Sequence, residues 1–271
     1  MSAIARYLGL WLSLARFSLL GEMAFRANFV VKVFVELLWL GILLLFNFTL
    51  FQYTSQIETW TQHQYLFFLG GYFALGGLLE MLFLDNCNEF AELVRTGDLD
   101  FFLLRPVDEQ FLVSCRKIDW SCAPNVLLGG GVMAYALWCM RWNGPWYSVP
   151  LFLAMFACGV AMAYGFLLML TAASVWFMRN QSLMEMWWLF GTLMRYPREI
   201  FMRTAWVSPV GIIFSTVIPI MLVTNVPASI MARNLLDPWT LLFTAAVTAI
   251  VLWASRRFFR AALQRYRSAS S

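Results

Sequence analysis

The side chains that could carry chemistry in this sequence are few and scattered. The 271 residues include 1 histidine and 5 cysteines. No two cysteines form a Cys-x-x-Cys pair, and His63 does not combine with any of them in a zinc-binding spacing. The sequence lacks a phosphate-binding Gly-x-x-x-x-Gly-Lys loop, a His-Glu-x-x-His motif and a Gly-x-Ser-x-Gly motif. It therefore predicts no catalytic residue, no metal site and no cofactor bound by this chain.

Three ionisable residues lie in or beside long apolar stretches, namely Lys32, Glu36 and Glu80. Lys32 and Glu36 are four residues apart, so on a helix they share a face and can pair. Glu80 lies near the end of the apolar stretch 65–84, and an acid in such a place is a candidate functional group of a transport path. The alternative for Glu80 is a structural partner such as a loop arginine.

The longest polar segment, 85–119, holds more than half of the 15 acidic residues. We predict that its first part continues the preceding helix and that Gly97 ends that helix, because glycine tolerates the positive φ of a helix C-cap. The apolar run 99–104 then forms a short helix, which Arg105-Pro106 ends. An apolar run in a charged loop predicts burial against a partner or the membrane surface. The alternative is a solvated connection.

The composition indicates the class of protein, and with it the kind of secondary structure that carries these residues. The chain is 61% hydrophobic and 13% charged, whereas a soluble domain is about 25% charged. Such a composition excludes a single water-soluble globule and a disordered chain. The repeated ten-residue alternation of a membrane β-barrel is missing. The sequence therefore predicts an all-α polytopic membrane protein with a single transmembrane domain over residues 1–271.

The predicted helices follow from the thickness of the bilayer, since a core of about 30 Å needs roughly 20 apolar residues. Residues 2–24 repeat apolar side chains at helical spacing between arginines, which predicts an interfacial amphipathic helix. The stretch 181–194 is short and contains Glu185, so we interpret it as a helix at the inner interface or packed against the fifth span. Gly129-Gly130-Gly131 predicts close helix packing. The six predicted spans are 34–51, 65–84, 120–140, 146–178, 204–232 and 238–255.

The distribution of basic residues predicts the orientation, because cytoplasmic segments are enriched in lysine and arginine. With both termini in the cytoplasm, all of the 19 basic residues except Arg141 and Arg233 lie on the inner face. Counting 181–194 as a further span would divide the later arginines between the two faces. We therefore predict six spans with both termini cytoplasmic.

The string RTGDLDFFLLRP, residues 95–106, resembles the R-x-G-x-L-D-x-x-L-L-R-P signature of uncharacterised permeases from the second class of ATP-binding-cassette exporters. Tyr196-Pro197, Pro219 with Pro227, and the Arg/Tyr/Ser-rich end at 265–271 are similar to further elements of that family. The resemblance extends over the whole chain. It implies a permease that forms the export or efflux path and no enzymatic activity in this chain.

The resemblance also implies partners. Two permeases would pair in a bacterial inner membrane, as a homodimer or a heterodimer, and two ATPase subunits carrying ATP and Mg²⁺ would bind beneath them. No nucleic-acid partner is implied. Residues 2–24 would be an elbow helix, 85–119 a coupling loop and 225–237 a re-entrant outer segment. The residues expected to couple to the ATPase are Arg95, Gly97, Leu99, Asp100, Phe101, Phe102, Leu103, Arg105 and Pro106.

Two functions of other classes stay open at this point. A membrane-embedded lipid-modifying enzyme would need an acid or histidine cluster near one face, and Glu80 is the available acid. A scaffold of an envelope assembly would transport nothing. An associated ATPase subunit would favour the exporter over both.

Overall fold

The computed structural model describes residues 3–24, 26–177, 180–202, 209, 212, 214 and 219–266. Within these ranges the strands are limited to one hairpin, in which β1 (Gln56–Ile57) pairs antiparallel with β2 (Trp60–Thr61). The predicted all-α class is therefore confirmed. The long helices are α1 (Ala3–Ala24), α2 (Arg26–Tyr53), α3 (Gln62–Leu79), α7 (Ala123–Cys139), α8 (Ser148–Phe177), α9 (Asn180–Met194), α11 (Ile220–Arg233) and α12 (Pro238–Arg265), with α10 (Arg198–Met202) as a short connector.

One continuous helical run leads into the polar segment. A π-helix, Glu80–Leu84, follows α3, and α4 (Asp85–Thr96) follows the π-helix, so helix extends over 35 residues from Gln62 to Thr96. The short helices α5 (Leu99–Leu103) and α6 (Glu109–Cys115) come next, and a 3₁₀ turn at Trp120–Cys122 leads into α7. The predicted helical continuation, break and short helix are thus confirmed.

Five helices are long and apolar enough to cross a membrane, and they agree with five of the six predicted spans. The remaining prediction, 204–232, lies partly outside the described residues. Its one continuous described helix is α11, which has 14 residues and is almost completely buried by protein. That length is below the roughly 20 residues of a bilayer crossing. The five helices cover Phe29–Tyr53, Gln62–Thr96, Trp120–Cys139, Ser148–Trp176 and Pro238–Arg265.

The chain turns at two opposite ends of the helical bundle. The loop end carries residues 97–119 and the last residues of α12. The hairpin end carries residues 54–61, 140–147 and 234–237. At the hairpin end, Asp237 caps the start of α12. Its carboxylate accepts hydrogen bonds from the N–H groups of Trp239 and Thr240, both at 3.2 Å.

Helix α9 passes between the two ends and packs against α11, so the predicted packing of 181–194 against the fifth span is found, whereas the predicted position at the inner interface is wrong. Its Trp187 and Phe190 belong to a core cluster with residues of the loop-end half, including Cys87. At its other end, the carbonyl oxygen of Met194 accepts a hydrogen bond of 2.8 Å from the Thr224 hydroxyl on α11. Residues 195–202 consequently lie at the hairpin end, opposite to the face predicted from the basic residues.

Helices α3 and α7 pack closely through glycine. A Cβ atom at Gly129 would lie 2.6 Å from the carbonyl oxygen of Gly70 and 2.6 Å from the backbone nitrogen of Ala74. A Cβ atom at Gly130 or Gly131 would meet no atom within 4 Å. Close packing by small residues, predicted for all three glycines, is therefore confirmed for Gly129 and not for its two neighbours.

We expect Gly129→Ala to lower the apparent Tm by several degrees, because the added methyl group meets backbone atoms that cannot rotate away. Overpacking of this kind costs about 1–3 kcal/mol. Thermal unfolding of the detergent-purified protein measures the effect. Gly130→Ala is the matched control, since its methyl group enters open space. Equal Tm values for the two variants would contradict the glycine contact.

Candidate functional site

The segment 97–106 at the loop end has a defined backbone geometry. Gly97 ends α4 with a φ of 81°, in the left-handed region, as predicted. The N–H of Asp100 donates to the Gly97 carbonyl oxygen at 3.1 Å, and the Thr96 hydroxyl donates to Asp98 Oδ2 at 2.8 Å. Because residues with a Cβ atom rarely adopt this φ, Gly97 determines the direction in which α5 leaves α4.

The side chains of α5 and the next residue divide into a buried set and an exposed set. Leu99 is completely enclosed in a core cluster of this chain, and Phe102 and Leu103 pack against the same cluster. Phe101 is 67% exposed and Leu104 is 82% exposed. The segment therefore presents one phenylalanine and one leucine outward while its other apolar side chains hold it in place.

The predicted coupling residues are thus brought together in one segment but do not share one surface. Arg105 and Pro106 are exposed beside Phe101 and Leu104. Leu104 was not among the predicted contact residues, although it is the most exposed apolar side chain of the segment. A helical wheel of five residues gives too little periodicity to tell these two faces apart.

Cations surround the inward-facing ring of Phe102. The guanidinium carbons of Arg105 and Arg116 lie 5.1 and 5.0 Å from the ring centroid. Arg116 also forms an ion pair with Glu89 on α4, as does Lys117. These contacts connect α5 to α4 and to the chain after α6. Cation–π contacts at partly exposed sites contribute about 0.5–1 kcal/mol each.

Two other predicted coupling residues make contacts of their own. Arg95 pairs with Glu92 one turn earlier, at 2.5 Å, and both side chains are exposed. Exposed pairs of this kind stabilise little. Asp100 lies near the hydroxyl of Tyr266 at the end of α12, where burial and the charge of Asp100 raise the pKa of that hydroxyl.

Asp108, which follows the segment 97–106, contacts three helices. Its Oδ2 accepts a hydrogen bond of 2.6 Å from Arg256 on α12, and its Oδ1 caps α6 by accepting from the Phe111 N–H at 3.2 Å. Its own N–H donates to the hydroxyl of Tyr7 on α1 at 3.1 Å. Burial opposes the charge of Asp108, but Arg256 and the Phe111 N–H together hold the pKa of this carboxyl below its usual value. Sequence reasoning missed this carboxylate, because Asp108 and Arg256 are separated by 148 positions.

Lys32 pairs with Asp119 and not with Glu36, which corrects the predicted pair. The Lys32 Nζ lies 2.9 Å from Asp119 Oδ2. Asp119 also accepts from the Ser121 N–H at 3.0 Å, at the start of the 3₁₀ turn. Burial would raise the pKa of Asp119, but the hydrogen bonds from Ser121 and Lys32 bring it below its usual value. Asp119 is held in place by its hydrogen bond from the start of the 3₁₀ turn. It therefore loses less side-chain freedom in pairing with Lys32 than Glu36 would.

Glu80 is the first residue of the π-helix. Near its carboxylate lie the acids Glu36, Asp119 and Asp85 and the thiol of Cys122. Among the residues that the structure describes, no ion pair joins Glu80 to an arginine. π-Helical turns are rare and occur frequently at functional sites. Glu80 and Glu36 therefore form a small acidic group inside the loop-end half of the bundle.

A second polar cluster lies at the hairpin end. Arg233 Nη1 lies 2.7 Å from Glu199 Oε1, and the indole N–H of the fully buried Trp60 donates to Glu199 Oε2 at 3.2 Å. The guanidinium of Arg233 also lies 5.0 Å from the Trp60 ring centroid. Sequence reasoning missed this cluster, because Trp60 and Glu199 are separated by 139 positions. Beside it is a cavity of about 520 Å³ whose walls include Arg198, Leu222, Asn225, Ser229, Leu235 and Asp237.

The position of residues 195–202 gives a testable topology. In a variant without native cysteines, we expect Arg198→Cys and Asn143→Cys to react with a membrane-impermeant thiol reagent from the same side of the membrane. Arg105→Cys should react from the opposite side. The reason is that Arg198 donates its N–H to Asn225 at the hairpin end, at 2.9 Å. If Arg198→Cys and Arg105→Cys react from the same side of the membrane, α9 does not pass through the bundle.

Comparison with known proteins adds one family. A family model described as ABC-2 family transporter protein matches residues 37–270. That range includes the segment 97–106, Glu80 and the cluster around Glu199. No curated protein and no solved structure matches the chain.

Proposed function

Since the chain belongs to the ABC-2 transporter family and is a permease subunit of an ABC transporter, we propose that it forms the path of an ATP-driven exporter. A separate ATPase subunit would bind and hydrolyse ATP with Mg²⁺. The chain would receive the resulting motion through residues 97–106. In this proposal the chain transports its cargo without making or breaking a covalent bond.

The observation that carries the proposal is the exposed pair Phe101 and Leu104 at the loop end. Large apolar side chains on the outermost turn of a charged loop are favourable when a partner covers them. Leu99 in the core and Asp108 paired with Arg256 hold the segment from behind. We propose that Phe101, Leu104, Arg105 and Pro106 enter a cleft of the ATPase subunit.

The same contacts suggest how motion would spread. A displaced α5 pulls on α4 through Gly97, and α4 continues into α3 as one helical run of 35 residues, which is about 50 Å at 1.5 Å per residue. The pair of Asp108 and Arg256 carries the displacement to α12 as well. Closure of the ATPase subunits would therefore act on helices that reach the hairpin end.

We propose that the path lies between two permeases, identical or different, in a bacterial inner membrane with both termini in the cytoplasm. Cargo would enter at the loop end and leave at the hairpin end. The acidic group of Glu80 and Glu36, with Lys32 nearby, would border the path in the loop-end half. Helix α11 and the outer segment 225–237 would close it at the hairpin end. Residues 2–24 would act as the elbow helix at the inner interface.

Purification of the tagged chain from native membranes in mild detergent tests this function. We expect an ABC ATPase subunit in a one-to-one ratio and Mg²⁺-dependent ATP hydrolysis that vanadate inhibits. Deletion of the chain should remove the ATPase from the membrane fraction. An isolated chain without ATPase, or an ATPase that stays on the membrane without the chain, would contradict the proposal.

A further inference from the structure

A groove of about 650 Å³ opens between α2, α3 and α7. It is separate from the coupling segment and from the cavity beside Glu199. Its polar residues, Asn47, Gln62 and His63, gather towards the hairpin end. The rest of its wall is mainly apolar and includes Leu40, Leu44, Leu66, Leu127, Leu128 and Val132.

Asn47 is the unusual member of this wall. Its side chain is 3% exposed, and its Nδ2 has no acceptor among the described residues. Leaving a buried amide donor without an acceptor is costly, so nearly all such groups in folded proteins are paired. The χ2 torsion of asparagine is soft, so rotation of the Asn47 amide brings this enclosed donor to the groove wall, where an oxygen of a bound ligand can accept its hydrogen bond.

The depth of Asn47 limits what that ligand is. Asn47 lies six residues before Tyr53, where α2 ends, which is about 9 Å along the helix. Tyr53 is 87% exposed, as expected for an aromatic side chain at the membrane interface. Leu40 lies about 20 Å from the same helix end, so the groove extends roughly from the interface to the centre of a core about 30 Å thick.

This geometry matches one leaflet of the bilayer. A glycerophospholipid places its phosphate at the interface, its ester carbonyls just beneath, and its acyl chains towards the midplane. In the groove, Gln62 and His63 lie at the depth of the phosphate, Asn47 at the depth of the ester carbonyls, and leucines along the depth of the acyl chains. Leu127 is strongly exposed, so the groove opens sideways to the bilayer from which a lipid would enter.

We propose that this groove binds one phospholipid from the leaflet at the hairpin end, with an ester carbonyl accepting a hydrogen bond from Asn47 Nδ2. One acyl chain lies along the leucines between α2 and α7. The phosphate lies beside Gln62 and His63. The bound lipid is a fixed component of the permease surface, in addition to any cargo that uses the path.

Native mass spectrometry of the purified complex tests the site, with added palmitoyl-oleoyl phosphatidylethanolamine as the probe. We expect a saturable adduct of one lipid per chain. Gly131→Leu should reduce its affinity at least tenfold, because Gly131 lines the groove and its Cβ points into open space. Gly130→Leu is the matched control, since Gly130 has equal space but does not line the groove. Its lipid affinity should equal that of the wild type.

A lipid with ether links in place of both ester carbonyls tests the hydrogen bond. The wild type should bind this ether lipid about tenfold more weakly than the ester lipid, which is equivalent to about 1.4 kcal/mol. Asn47→Leu should bind both lipids equally and as weakly as the wild type binds the ether form. Equal binding of the two lipids by the wild type overturns the assignment of Asn47.

The same variants distinguish a lipid from a second copy of the chain. If Gly131→Leu leaves lipid binding unchanged, the groove is not a lipid site and the proposal fails. If Gly131→Leu instead lowers the fraction of dimer by mass photometry without changing lipid binding, the groove is an interface between permeases. Reduced lipid binding with an unchanged dimer fraction is the expected result.

Discussion

Alanine at both Phe101 and Leu104 should weaken binding of the ATPase subunit by at least a hundredfold. Burying one such side chain stabilises by about 1.5–3 kcal/mol, and each 1.4 kcal/mol is a factor of ten in affinity. Both side chains project from the chain, so their removal leaves its own core intact. Pull-down of the ATPase by the tagged double variant, at several protein concentrations, measures the loss.

The control for this experiment is Leu242→Ala with Phe243→Ala on α12. This leucine and phenylalanine are also exposed, but they lie near the hairpin end. Binding of the ATPase should then match the wild type. Gly97→Val should reproduce the loss, because it redirects α5 without removing a contact residue. If the Phe101/Leu104 variant retains the ATPase as well as the wild type, residues 97–106 are not the coupling site.

Loss of the Glu199 carboxylate should have the largest effect on stability. Glu199→Ala leaves the guanidinium of Arg233 without its partner beside the buried Trp60. Breaking a buried ion pair from one side costs about 3–5 kcal/mol. The side chains of Arg233 and Glu199 are 16% and 29% exposed, which favours the lower end of that range. We expect a Tm lower by about 6–12 °C, at roughly 2–4 °C per kcal/mol for a domain of this size class.

A paired substitution separates the charge from the size of the side chain. Glu199→Met with Arg233→Met removes both charges together and should recover most of the Tm lost in Glu199→Ala, because no charge is left unpaired. Thermal unfolding of all three proteins in one detergent gives the comparison. A double variant as unstable as Glu199→Ala would mean that the ion pair itself is not what the single change breaks.

The backbone of the segment 97–106 could be predicted from the sequence because its signals are local. Gly97 can adopt a positive φ, and the run 99–104 is too apolar to stay in water. Both properties are contained in ten neighbouring residues. The division of that run into buried Leu99 and exposed Leu104 could not be predicted, because it depends on α12, more than a hundred positions away.

The passage of α9 could not be predicted from length and hydropathy. Its 15 residues and Glu185 fall short of a typical span, whereas α11 belongs to a longer apolar stretch. Hydropathy measures the cost of leaving water and does not distinguish lipid from the interior of a protein. Helix α11 is apolar because other helices enclose it. The count of basic residues placed 195–202 on the inner face. The structure instead pairs Glu199 from this segment with Arg233 at the hairpin end.

Lys32 illustrates the limit of spacing rules within one helix. The separation of four residues made Glu36 a suitable partner, and the structure instead brings Asp119 to Lys32 from 87 positions away. Glu36 then lies near Glu80, a second acid. Local patterns therefore predicted where ionisable groups occur in the bundle but not which of them meet.

The π-helix at Glu80–Leu84 gives the long helix from Gln62 to Thr96 a specific torsional property. A π-turn contains more residues per rotation than an α-turn, so its five residues wind through a smaller angle. If this segment tightened into α geometry, everything beyond Leu84 would rotate by about a quarter turn relative to α3. A displacement of α5 would then be accompanied by a rotation of α4 relative to α3, with the π-helix that begins at Glu80 as the pivot.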